Sequence, residues 1–307
     1  LSRSIRTRAL VVAGALSLTG ATVIAVGTSN VAGAKPVHAG AATSASTPKA
    51  GALPHGGPTA PPGYNVQFAG FTAGNGTQTR GSVACASGTV AFGGGAVLGS
   101  SSLAANLNSS FPESGGAGWA VDVNNASGAD SAVNVYVVCA DQPTGYAIET
   151  SSEVDNPPGA QTRAVVSCPK RTVSLGGGFY STSGSTDVNA NSTFPSVSGK
   201  IYSWDTDMNN NSGVDAAVIS YAVCGKKPKG FTVVAGSPVD NPPGAETFAA
   251  ANCPAKTSPI GGGVYSNTGS VVADINSTYP GSTSWSAYEN NGSGSDSSVT
   301  PYATCAK

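Results

Sequence analysis

The chain has 307 residues, of which 10% are charged, with 41 Gly, 20 Pro and 6 Cys. Fifteen basic and sixteen acidic residues leave a net charge of −1 at pH 7 and no basic patch, which argues against nucleic acid or an anionic membrane as a partner. A surface this poor in ions must be solvated by hydroxyls and amides, as is common outside cells.

The first eight residues carry Arg3, Arg6 and Arg8 and no acid. An apolar run from Ala9 to Gly27 follows, then small residues ending Ala32-Gly33-Ala34. This order predicts a signal peptide over 1–34, cleaved after Ala34, and a secreted, extracellular product without stable membrane insertion. The competing reading, an uncleaved anchor, is weakened by Gly, Ser and Thr within the run. Residues 35–63 are rich in Ala, Pro and Gly and have no periodicity. Such a segment cannot repay the entropy of ordering and reads as a disordered tether.

Beyond it one cassette is written three times. It runs Cys, eight residues to Gly-Gly-Gly, fifteen to Asn-Ser-(Ser/Thr)-(Phe/Tyr)-Pro, a variable gap, Trp, and twenty residues to a closing Cys. The repeat predicts three modules at 64–142, 145–227 and 230–307. The gap between Pro and Trp is seven, nine and five residues after Pro112, Pro195 and Pro280. The connectors Ala140–Thr144 and Gly225–Gly230 are short, so the modules either form a stiff row or pack about a pseudo-threefold axis.

Within a module the pattern is all-β. Ala132–Cys139 and Ala217–Cys224 alternate with period two, as do Trp119–Val123 and Tyr202–Met208, and Asn-, Pro- and Gly-rich turn clusters separate them. The expected fold is three tandem small β-sandwiches or open barrels, each stapled by a disulfide. Two cysteines per copy suit an oxidising compartment, and the repeat favours the pairs Cys85–Cys139, Cys168–Cys224 and Cys253–Cys305. Each staple is worth ~4 kcal/mol on chain-entropy grounds. Two thiols per copy without a nearby His do not complete a zinc site, so neither a metal nor another cofactor is expected. The Cys…Gly-Gly-Gly…Trp…Cys pattern resembles all-β modules of exported bacterial proteins and of some fibre tips. That resemblance covers 64–307 and implies no particular activity.

Gly93-Gly94-Gly95 and its counterparts at 176 and 261 follow an apolar strand and precede no Lys. They read as a bulge or close backbone crossing beside the disulfide or the Trp ring rather than a phosphate cradle. Trp119, Trp204 and Trp285 share strand parity with apolar residues, which favours a core role over sugar stacking. The aromatic residues beside the variable loop, Phe111, Phe194 and Tyr279, are the better exposed candidates.

The Asn-rich turns add Asn124 and Asp130, Asn209 and Asp215, and Asn290 and Asp296 as candidate ligand groups, against the alternative of plain hairpin turns. In copy two Asp205, Asp207, Asn209 and Asn211 alternate like a calcium loop but lack its Gly and bidentate Glu. Asn108, Asn191 and Asn276 each open an Asn-Ser-Ser/Thr glycosylation pattern. His38 and His55 are the only histidines and both lie in the tether, so no module can assemble a Ser–His or Cys–His pair. The expectation is a non-enzymatic, multivalent binder of extracellular polysaccharide or cell surface, of unspecified oligomeric state. A structural or adhesive coat protein and, less favoured, a hydrolase using Asp205 and Asp207 are the alternatives.

Overall fold

Each cassette supplies six strand positions. In the first copy these are β2 (Asn65–Ala73), β3 (Thr77–Ala84), β4 (Thr89–Leu98), β5 (Ala105–Pro112), β6 (Gly118–Asn125) and β7 (Ser131–Asp141), and a two-residue β1 (Gly51–Ala52) pairs with β2. In the second copy the first position is split into β8 (Ala147–Thr150) and β9 (Val154–Asn156). It continues as β10 (Gln161–Ser167), β11 (Val173–Ser181), β12 (Val188–Ser198), β13 (Ile201–Asn210) and β14 (Ala216–Gly225). The third copy is likewise split, into β15 (Thr232–Ala235) and β16 (Val239–Asn241). Its remaining strands are β17 (Glu246–Asn252), β18 (Ser258–Ser266), β19 (Ala273–Pro280), β20 (Ser284–Asn291) and β21 (Ser297–Ala306). Pro238, which has no N–H for a ladder, lies in the break of copy three. In copy two the Ser151 hydroxyl takes the place of a backbone carbonyl and accepts from the Ser220 N–H at 3.0 Å.

This computed structural model describes residues 51–52 and 60–307, so the leader expected at 1–34 and most of the expected tether lie outside the described residues. The described part is all-β and carries the three expected disulfides, Cys85–Cys139, Cys168–Cys224 and Cys253–Cys305.

The strands form three antiparallel seven-stranded sheets, and every sheet is shared between two copies. Sheet I runs β1-β2-β7-β4-β19-β20-β17, joining copy one to copy three. Sheet II runs β3-β6-β5-β11-β14-β8, with β9 also on β14, and joins copy one to copy two. Sheet III runs β10-β13-β12-β18-β21-β15, with β16 also on β21, and joins copy two to copy three. The seams are single cross-copy pairs, Ala96 with Thr278, Ser110 with Phe179, and Thr193 with Val264. Strand sharing closes a ring, which decides between the row and the pseudo-threefold arrangement in favour of the latter.

The glycine triplet makes that ring possible, and each of its members has a separate task. A Cβ on Gly93 would lie 2.8 Å from the Gly261 Cα, and one on Gly261 would lie 2.7 Å from the Gly176 Cα. One on Gly176 would lie 3.1 Å from the Gly93 Cα, so the first glycines of the three copies meet at the axis. The second glycines, Gly94, Gly177 and Gly262, lie against the rings of Trp119, Trp204 and Trp285. The third, Gly95, Gly178 and Gly263, are crossed by the carbonyls of Thr278, Ser110 and Thr193 from the neighbouring copy, leaving no room for a side chain. A bulge immediately before each triplet turns Phe92, Leu175 and Ile260 inward, where they are fully buried. The bulge, the crossing and the Trp contact expected for this motif are therefore all present.

The three tryptophans are completely buried, and their Nε1–H groups donate to Ser110 Oγ, Thr193 Oγ1 and Thr278 Oγ1 at 2.7–2.9 Å. These acceptors are the third residues of the Asn-Ser-Ser/Thr motifs. The motif's Asn reaches the next copy, Asn108 Nδ2 donating to the Val188 carbonyl (2.8 Å), Asn191 to that of Ala273 (2.9 Å) and Asn276 to that of Ala105 (3.0 Å). Its Ser accepts from a backbone N–H across the same seam, as Ser181 N–H does to Ser109 Oγ at 3.1 Å. The glycosylation pattern is thus a buried inter-copy clasp, which a folded chain does not present for modification. Each disulfide spans two sheets as well. Cys85 follows β3 of sheet II and Cys139 lies in β7 of sheet I, and the other pairs join sheets III and II and sheets I and III.

Candidate functional site

The outer face of each sheet carries an aromatic cluster that crosses the seam between copies. In sheet II Phe111 lies edge-on to Tyr180 (centroids 5.4 Å) and stacks on Tyr221 (5.9 Å). In sheet III Phe194 meets Tyr265 edge-on (5.1 Å) and stacks on Tyr302 (5.5 Å). In sheet I Tyr279 adjoins Tyr136 (6.0 Å), which adjoins Phe68 (5.7 Å). The three aromatic residues singled out in the sequence therefore each sit at the seam of one cluster, but their expected exposure is corrected for Phe194, which is buried against its tyrosine neighbours, while Phe111 and Tyr279 are half-buried. Their Tyr partners come from a different copy, and nothing in the spacing of a single cassette reveals them.

Arg80 lies over the Phe111 ring at 5.3 Å and Arg163 over Phe194 at 5.6 Å. Both guanidinium groups are held bidentately, Arg80 by Asp122 (2.7 Å twice) and Arg163 by Asp207 (2.7 and 2.6 Å). The clusters of sheets II and III are consequently aromatic and electrically compensated. Sheet I differs, because Phe248 and Tyr288 (5.1 Å) occupy the positions of the ion pair. Burial raises the pKa of Tyr221, Tyr279 and Tyr302, keeping these phenols neutral hydrogen-bonding groups.

The variable loop borders each platform. In copy one a 3₁₀ turn at Ser114–Gly116 walls a groove of about 790 Å³ that Arg80, Phe111, Glu113, Ile148 and Tyr221 line. In copy two the loop is drawn out into the β12–β13 hairpin, and in copy three it is a tight turn at 281–283.

The Asn-rich turns lie at the other end of the strands. Asn125 is five residues along β6 from the partner of Phe111, about 17 Å at the usual strand rise. Asn124, Asn209 and Asn290 are corrected from ligand groups to structural ones. All three are fully buried, and their amides donate to the Val188, Ala273 and Ala105 carbonyls of a neighbouring copy at 2.8–3.1 Å. The next residues, Asn125, Asn210 and Asn291, close the turn by donating to Ala129, Val214 and Ser295 carbonyls. Asp130, Asp215 and Asp296 are exposed on these turns and are not brought near the aromatic residues. Asp205, Asp207 and Asn209 lie on strand β13, with Asn211 just beyond its end, and spread along it instead of converging as a calcium loop does. Asp207 is taken by Arg163, and Asp205 accepts from Ser196 Oγ at 2.7 Å, so the pair considered for hydrolysis belongs to the sheet face.

Copy three carries an electrostatic departure that the cassette does not advertise. Asp274 stands where the other copies have Asn106 and Asn189, Glu289 where they have Val123 and Met208, and Glu246 where they have Gln78 and Gln161. Burial pushes the Asp274 carboxyl from 3.8 to about 7, although Asn290 and Asn106 donate to it at 2.8 and 3.2 Å. Glu289 is fully buried, neither oxygen makes a hydrogen bond of normal geometry among the described residues although the Ser266 hydroxyl lies close enough to ease the charge a little, and desolvation raises its pKa well above the usual range. Glu246 is raised by burial too, and it faces Asn290, whose Oδ1 is unsatisfied. Among the described residues no helix is long and apolar enough to cross a membrane. Neither protein-family models nor curated proteins yield a match to this chain, so a reading of its sites rests on their geometry.

Proposed function

We propose that this chain is a secreted, non-enzymatic, multivalent binder of extracellular polysaccharide or cell surface, with one aromatic platform on each sheet. The observation that carries this reading is the clustering of Phe111, Phe194 and Tyr279 with cross-copy tyrosines on three outer faces. Half-buried tyrosine rings around these residues, in two of the three clusters beside an Arg neutralised by its own Asp, suit the CH-rich face of a neutral sugar and give little hold on a small ion. Three weak platforms on one rigid body gain through effective concentration what each lacks alone. The second reading, a structural or adhesive coat component, is favoured by the interlocked glycine crossings and the three disulfides between sheets.

Retention on insoluble neutral polysaccharide separates the two. The native chain should be retained, and the combined Phe111→Ala, Phe194→Ala, Tyr279→Ala variant should lose about a hundredfold in apparent affinity. Single replacements should lose far less, with unfolding curves showing all variants folded. Equal retention of the folded triple variant, or no retention of the native chain at high concentration, refutes the polysaccharide reading.

A further inference from the structure

We infer that one end of the pseudo-threefold axis is a docking face for an acidic polysaccharide, separate from the aromatic platforms. The strand order sends all connections to two opposite ends. At one lie the Asn-rich turns, where Asp130, Asp215 and Asp296 are joined by Asp155, Asp187 and Asp240, all exposed, with no Lys or Arg among the described residues. At the other lie the disulfide turns and the copy-to-copy connectors. These carry Lys170, Arg171 and Lys256 in the turns, Lys200 on the β12–β13 hairpin, and Lys226, Lys227, Lys229 and Lys307 around one basin at the connectors. Among the described residues only Glu113 and Asp141 oppose them there. Every described Lys and Arg outside the two ion pairs therefore faces the same way. The scattered cations that leave the sequence without a basic patch are gathered into one by the fold.

The face is also concave. A basin of about 350 Å³ opens at the connectors, with Lys226, Lys227, Lys229 and Lys307 outnumbering the single carboxylate of Asp141 around it and Pro61, Pro143, Pro228 and Phe92 among its walls. Separate ammonium groups around an apolar floor match a sugar ring that bears a single carboxylate. A dense phosphate polymer would instead favour planar guanidinium clamps, and among the described residues Arg171 is the one Arg outside the ion pairs. The two ends are also complementary to each other, so head-to-tail stacking of a second copy is the rival occupant.

The test uses the full chain with polygalacturonate as probe, and dextran and a DNA duplex as comparisons. Binding to polygalacturonate should weaken at least tenfold between about 50 and 200 mM salt. It should also fall at least tenfold in the Lys226→Gln, Lys227→Gln, Lys229→Gln variant. Changing Asp130, Asp215 and Asp296 to Asn should leave it unaltered. The lysine variant should keep its retention on neutral polymer, and the Phe111→Ala, Phe194→Ala, Tyr279→Ala variant should keep its hold on polygalacturonate, so the two proposals fail independently. Tighter binding to DNA than to polygalacturonate overturns the ligand class. Undiminished binding by the folded lysine variant overturns the site. A salt-sensitive rise in mass with concentration, lost in both the lysine and the aspartate variants, assigns the face to a second copy instead.

Discussion

Replacing Gly178 by Ala is expected to abolish folding of the whole chain, not only of the second copy. The added methyl would collide with the Ser110 carbonyl of β5, the strand that copy one lends to sheet II. That strand cannot retreat, because it is paired with β6 on its other edge and anchored by Asn108 and Ser109. A forced shift would open the seam, separate the Trp119 indole from Ser110 and leave buried polar groups unpaired, a loss above ~4 kcal/mol. Gly213→Ala is the matched control. No atom lies within 4 Å of a Cβ there, and the effect should stay within about 0.5 kcal/mol. Soluble yield and urea unfolding report both. A Gly178→Ala protein as stable as the control would contradict the tight crossing of β11 and β5.

The second large effect is a stability that grows as the solution is acidified. Asp274, Glu289 and Glu246 all have pKa values raised above those of the unfolded chain, so the folded state binds more protons. Their contribution is complete below the unfolded values and is lost as pH climbs through the folded ones. For Asp274 the window runs from about 4 to about 7, and the shift from 3.8 to about 7 corresponds to roughly 4 kcal/mol. Urea midpoints should therefore fall between pH 5 and pH 8. Restoring what copy two carries, through Glu246→Gln, Asp274→Asn and Glu289→Met, should raise the midpoint at pH 8 and flatten the profile. A native midpoint that rises across this interval would show that these carboxyls are ionised without penalty.

Much of the fold is legible in the cassette. The period-two runs at Ala132–Cys139 and Ala217–Cys224 are strands β7 and β14, and the cysteines pair as the spacing implies. The parity of Trp with Val121 and Met208 correctly places the indoles in the core. Strand exchange is harder to read. A strand lent to a neighbouring copy has the same alternation as one kept at home, and only the unusual demand for three successive glycines hints at backbones crossing. The Asn-rich turns mislead for a related reason. Amides that satisfy a neighbouring copy's carbonyls look, in one dimension, like amides free for a ligand. The basic end escapes notice because its lysines are split among three kinds of turn and the segment after β21. Lys226-Lys227-Pro228-Lys229 is the one local signal of it.

The interlocked arrangement is tested most directly by producing the second copy alone, residues 145–227, oxidised, and recording its amide NMR spectrum. In the full structure β11 takes part of its pairing from copy one and β12 part of its pairing from copy three. Asn108 and Asn191 clasp across the same seams. Without those partners the isolated copy should give the narrow dispersion and non-cooperative urea response of an unfolded chain, while the full chain unfolds in one transition. A well-dispersed spectrum with cooperative unfolding of the single copy would contradict the account.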